Sequence, residues 1–106
     1  MLDAVTGLSG SGPAFVIEFI LALAEGGVYC GMPRTLALDS AIQTVLGTAE
    51  MVKSSPESVY ALRDAVITPN GTTARGLHVL DEKGFRGIVK NCVIAAAERS
   101  FELGKK

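Results

Sequence analysis

The chain has 106 residues, a length that suits one domain and excludes a nucleotide domain and a substrate domain together. Ten Lys plus Arg against eleven Asp plus Glu give a formal charge of −1, so there is no strong field to attract nucleic acid or an anionic membrane. Apolar residues make up 48% but aromatics only 6%, so Ala, Val, Ile and Leu supply the apolar surface, a mixture suited to closely packed helices.

The first feature along the chain is Gly7-Leu8-Ser9-Gly10-Ser11-Gly12, which has the glycine content of a phosphate loop. Its order is GxxGxG rather than the GxGxxG of dinucleotide sites, and Leu2 to Val5 is the only stretch that could serve as a preceding strand. The reading that follows is a flexible or tightly packed lead-in to the first helix. Ser11 or Gly12 caps that helix, Pro13 sits in its first turn where a missing N–H costs nothing, and the pattern runs to Gly31. From Ala14 to Ala24 it is apolar around nearly its whole circumference, with Glu18 the exception, and a soluble helix of that kind must be covered on several sides. A second copy of the chain is the expected source of cover. Gly26-Gly27 predicts a close approach by another helix, or simply a loosened helix end.

Pro33 opens an amphipathic second helix with Leu38, Ala41, Ile42, Val45, Ala49 and Val52 at helical spacing, broken by Ser54-Ser55-Pro56. A short third helix is predicted over Glu57 to Ala65, a fourth from Thr72 to near Gly84, and a fifth from Phe85 to about Gly104 with Lys105 and Lys106 at the negative end of its dipole. Val66-Ile67-Thr68 is too short to build a sheet. The predicted fold class is all-α with about five helices.

Cys30 and Cys92 are too few for a disulfide framework and not spaced as a metal or redox motif, so both are read as small core residues in a reducing compartment. The apolar run falls short of the roughly 20 residues a membrane helix needs. It also lacks the flanks of a signal peptide. The default expectation is a cytoplasmic protein with no membrane and no nucleic-acid partner.

Thr68-Pro69-Asn70-Gly71-Thr72-Thr73 is the richest chemical signal: a Pro-Asn-Gly turn delivering two threonines and backbone N–H groups to a helix start, where an anion is favoured. The alternative is that Thr72 merely caps a helix after a turn. His78 has no second histidine or cysteine at ligand spacing, so no metal is expected and a surface or boundary position is the better reading. Asp81, Glu82, Glu98 and Glu102 read as solvated helix faces with no assigned chemistry.

Two stretches taken together, Asp3 to Phe15 (DAVTGLSGSGPAF) and Leu62 to Thr73 (LRDAVITPNGTT) continuing to Gly76-Leu77-His78-Val79-Leu80, closely resemble the C-terminal domain of the pyrroline-5-carboxylate reductase family. The similarity extends from about Asp3 to Leu103. It implies an all-helical domain that interlocks with a second copy as a homodimer, some members assembling further, and reduction of 1-pyrroline-5-carboxylate to L-proline with NADPH or NADH in proline biosynthesis. It implies that the cofactor is bound by an N-terminal Rossmann domain absent from this chain, so that none is held here and the isolated chain is inactive.

Carried over by position, the resemblance assigns the substrate carboxylate to the Thr68 hydroxyl and the N–H groups of Gly71 and Thr72. It assigns Thr73 the catalytic position, with its hydroxyl near the ring nitrogen. Thr68 and Asn70 depart from the serine and glycine often found there; threonine keeps the hydroxyl, and asparagine tolerates left-handed backbone. The competing expectation is a helical dimerisation module with no ligand of its own.

Overall fold

The computed structural model describes residues 1–68 and 71–105, and among them there is helix but no strand. The elements are α1 (Leu2–Val5), a π-helical turn (Thr6–Gly10), α2 (Gly12–Tyr29), α3 (Arg34–Ser54), α4 (Val59–Val66), α5 (Thr72–Glu82) and α6 (Phe85–Gly104). Helices α2 to α6 are the five expected from the sequence, with ends shifted by a residue or two. The addition is Leu2 to Gly10, expected as a lead-in and found helical. Glycine is unfavourable inside a helix by about 1 kcal/mol relative to alanine, so local propensity argued for a loop. Packing decides otherwise.

The residues fall into two compact units, one combining Met1–Phe19 with the stretch from Leu80 onward, the other Ile20–Val79. In the first unit, α1 and the π turn lie against α6. The Ser100 hydroxyl donates to an Asp3 carboxylate oxygen at 2.8 Å. Gly7 is buried, and a Cβ built on it would stand 2.6 Å from the Val93 carbonyl oxygen and 3.2 Å from the Ala97 Cβ. The Phe19 and Phe85 rings are 5.8 Å apart and tilted by 48°. Asp3, Gly7 and Phe19 thus meet partners of falling number, which makes the pairing antiparallel. The bond from Ser11 N–H to the Thr6 carbonyl, at 2.8 Å, reaches back five residues in the π pattern.

Among the described residues of the second unit the buried side chains are alanines, Ala24 from α2 with Ala37 and Ala41 from α3, flanked by Ile20, Val28 and Met32. The close approach expected at Gly26-Gly27 occurs at Gly27 alone: a Cβ there would be 3.3 Å from that of Ala37, whereas nothing lies within 4 Å of one built on Gly26. Helix α2 ends in a Schellman motif. Gly31 is left-handed (φ 108), its N–H reaches the Val28 carbonyl, and Met32 N–H reaches that of Gly27, both at 3.0 Å. Pro33 follows as the N-cap residue of α3. Cys30, expected in the core, is exposed, because the C-cap position carries it past the packed face of α2; Cys92 is half-buried. Ser58 caps α4, its hydroxyl accepting from Ala61 N–H at 3.1 Å.

Much apolar surface stays open. On α2, Val16 is 46% and Ile17 55% exposed; on α3, Leu36 is 53% and Leu46 50% exposed. The helical stretch Leu2–Tyr29, at 28 residues, is also long and apolar enough by length and composition to cross a membrane, which the shorter run seen in the sequence is not.

Replacing Gly7 by alanine is expected to destabilise the fold by about 2 kcal/mol, because the added methyl meets backbone atoms of α6 that cannot rotate away. Gly87→Ala, on α6 with nothing within 4 Å, is expected to be neutral or to gain up to about 1 kcal/mol. Urea midpoints of the two variants check both, and equal effects would sink the packing role of Gly7.

Candidate functional site

Ile67 follows α4 in extended conformation (φ −87, ψ 125), its N–H bonded to the Asp64 carbonyl at 3.1 Å. Pro69 and Asn70, the centre of the expected turn, lie outside the described residues. Gly71 donates its N–H to the Thr68 carbonyl at 3.0 Å, and its own carbonyl accepts from Arg75 N–H at 3.3 Å, the first bond of α5. Gly71 therefore holds the N-cap position, not Thr72 as the capping alternative supposed. Thr72 and Thr73 are the first two helical residues. Thr68 and Thr72 are exposed, while Gly71 and Thr73 are half-buried.

Such an arrangement can hold an anion without a basic side chain. The first-turn amides of Thr72, Thr73 and Ala74 have no carbonyl one turn earlier in the helix, and the helix dipole puts partial positive charge there. Two hydroxyls on that turn and one on Thr68 add donors that can also accept. The amide of Gly71 differs from the others: it already serves the Thr68 carbonyl, so it reaches a ligand only by sharing that bond.

Other sequence signals are placed away from this turn. His78 is exposed on α5, and among the described residues no group of three or more potential metal-ligating side chains comes together. Asp81, Glu82, Glu98 and Glu102 are exposed. Glu98 and Glu102 border a shallow groove with Asp3, Ala97 and Phe101, and Arg99 pairs with Glu102 at 3.3 Å. Gly7 to Gly10 are helical, with Gly7 buried against α6, so the stretch offers no open backbone loop for a dinucleotide's phosphates.

One feature here escaped sequence reasoning. The Thr68 hydroxyl oxygen occupies the space in which a Cβ of residue 71 would stand. Threonine and glycine three positions apart hint at a turn, but which atom fills the space over the glycine depends on a side-chain rotamer that spacing does not encode.

Residues 1–103 match the family described as pyrroline-5-carboxylate reductase dimerisation. A pyrroline-5-carboxylate reductase of Synechocystis is 53% identical over 106 residues, covering 100% of this chain and 40% of that protein. One from Glycine max is 55% identical over 101 residues, covering 95% of this chain and 37% of that protein. Among solved structures, Plasmodium falciparum pyrroline carboxylate reductase with NADP bound superposes with a TM-score of 0.94 at 42% identity, over 97% of this chain and 42% of that one. A reductase from Coxiella burnetii gives 0.91 at 36% identity, over 95% of this chain and 37% of that one. The chain thus spans about two fifths of the length of the relatives it matches. With the match running through nearly every residue and the helices superposing, the chain belongs to the pyrroline-5-carboxylate reductase dimerisation family.

Proposed function

We propose that these residues form the substrate-side and dimerisation domain of an enzyme that reduces 1-pyrroline-5-carboxylate to L-proline in proline biosynthesis. The observation that carries this reading is the start of α5, where Gly71 caps the helix and Thr68, Thr72 and Thr73 surround it, in a chain of this family. The Thr68 hydroxyl and the Thr72 amide hold the substrate carboxylate, with the Gly71 amide sharing its turn bond. The Thr73 hydroxyl lies near the ring nitrogen, where it steadies the iminium or helps protonate the product amine. The hydride donor, NADPH or NADH, binds outside these residues, since the glycine-rich stretch does not fit it.

The partner is a second copy of the chain. The open apolar faces of α2 and α3 support this reading, as does the family's description. A membrane suits these faces less well, because Glu18 and Glu25 lie within α2 and would have to be buried in hydrocarbon. The protein is assigned to the cytoplasm on the same reasoning, with no nucleic-acid partner at a formal charge of −1.

Titrating the chain with L-proline while following the amides of Gly71, Thr72 and Thr73 by NMR tests the site. Saturable shifts centred there are expected; none, with the protein folded, would favour a dimerisation module without a ligand. Thr73→Ala is expected to weaken L-proline binding about tenfold, the cost of one hydrogen bond to a charged or polar group, while the dimer persists in sedimentation. Loss of the dimer would make Thr73 structural. The melting temperature should rise with chain concentration, as for any fold completed by association; a constant value would count against a dimer. Alone, the chain should show no pyrroline-5-carboxylate-dependent oxidation of NADPH, and sustained turnover would overturn the assignment of the cofactor to residues elsewhere.

A further inference from the structure

Leu2 to Tyr29 is one helical stretch of 28 residues, and Pro13 stands inside it. Proline in a helix interior lacks the N–H for the bond to the residue four back, and its ring needs the space of that residue's carbonyl, here Ser9. The turn that contains Ser9 is the π turn Thr6–Gly10, closed by the bond from Ser11 N–H to the Thr6 carbonyl at 2.8 Å. Ser11 itself keeps helical backbone (φ −88, ψ −24), so the stretch continues into α2. A turn closed by a bond to the fifth residue back holds one residue more than an α turn.

That extra residue sets which side chains meet α6. Asp3 accepts from Ser100, Gly7 lies on Val93 and Ala97, and the Phe19 ring stands 5.8 Å from that of Phe85. Phe19 follows Gly7 by twelve positions. At about 3.6 residues per turn, twelve positions of plain α-helix would leave Phe19 about a third of a turn away from the face of Gly7. Glu18, eleven positions on, would take the place beside Phe85. Absorbing one residue in the π turn returns Phe19 to that face and leaves Glu18 exposed. We propose that the π turn and Pro13 form one conformational device, a one-residue spacer that carries the helix past the proline and keeps Asp3, Gly7 and Phe19 on the face that meets α6.

The first test uses the full 106-residue chain without substitution. NMR couplings transmitted through hydrogen bonds identify the carbonyl that accepts from Ser11 N–H. Coupling to the Thr6 carbonyl is expected. Coupling to that of Gly7, the α pattern, overturns the proposal.

The second test changes the spacing. Ser9 is exposed, so deleting it empties no packed position. Its deletion in a Pro13→Ala chain removes spacer and obstacle together, and plain α-helix then puts Phe19 eleven positions from Gly7, back on the same face. The nuclear Overhauser contacts between the Phe19 and Phe85 rings are expected to persist in this shortened chain, as in Pro13→Ala alone. An alanine inserted after Ala14 in the parent chain leaves the spacer in place and brings Glu18 to twelve positions from Gly7, so the ring contacts are expected to vanish. Loss of the contacts or of the fold in the shortened chain, or their survival in the lengthened one, overturns the proposal. Failure of Pro13→Ala alone to fold also counts against it, since the proline would then support the helix and not obstruct it.

Discussion

Cover for α2 is the constraint on which the rest of the structure depends. Its apolar residues run round nearly the whole helix, and within the chain they meet other helices mainly through small groups: Gly27 and Ala24 face Ala37 and Ala41. Small residues let helix backbones approach, but they bury little side-chain area. The larger groups, Val16, Ile17, Leu21 and Leu23, keep much of their surface open. A monomeric domain places its large apolar side chains inside. Here the small ones are inside and many of the large ones outside, an inversion that fits the second copy proposed above.

The start of α5 is set instead by backbone bonds between residues close in sequence. The placement comes from short connections. Ser58 anchors α4, Ile67 leaves it extended, and the amide of Gly71 ties back to Thr68 before the helix begins. At the far end Gly84, left-handed with φ 72, bonds its N–H to the Asp81 carbonyl and accepts from Ile88 N–H with its own, so one residue closes α5 and opens α6.

Sequence and structure agree most closely where local chemistry decides. Pro33, Ser54-Ser55-Pro56, Gly84 and the alternation of apolar positions placed five helices correctly, because capping, turn and periodicity signals act over a few residues. They disagree at Leu2 to Gly10, where three-dimensional contact with Val93 and Ala97 makes a helix from glycines that locally disfavour it. Cys30 was misplaced for a related reason: periodicity counts residues along a helix but does not show where its packed face gives out. At the site, the residue types and the start of α5 were visible in Thr68 to Thr73. The engagement of the Gly71 amide with the Thr68 carbonyl was not, since spacing alone does not encode it.

The hydrogen bond between Asp3 and Ser100 joins residues 97 positions apart, near the two ends of the chain. During synthesis the first helix is therefore made almost a whole chain-length before its partner, whereas the unit Ile20–Val79 is continuous in sequence and complete well before α6. Helix α1 and the π turn, which pack on α6, wait longest for their neighbour. Synthesis of α6 becomes the event that closes the first unit, and a nascent chain stalled before Phe85 would leave the face of α1 and the π turn open to whatever chaperone stands at the exit.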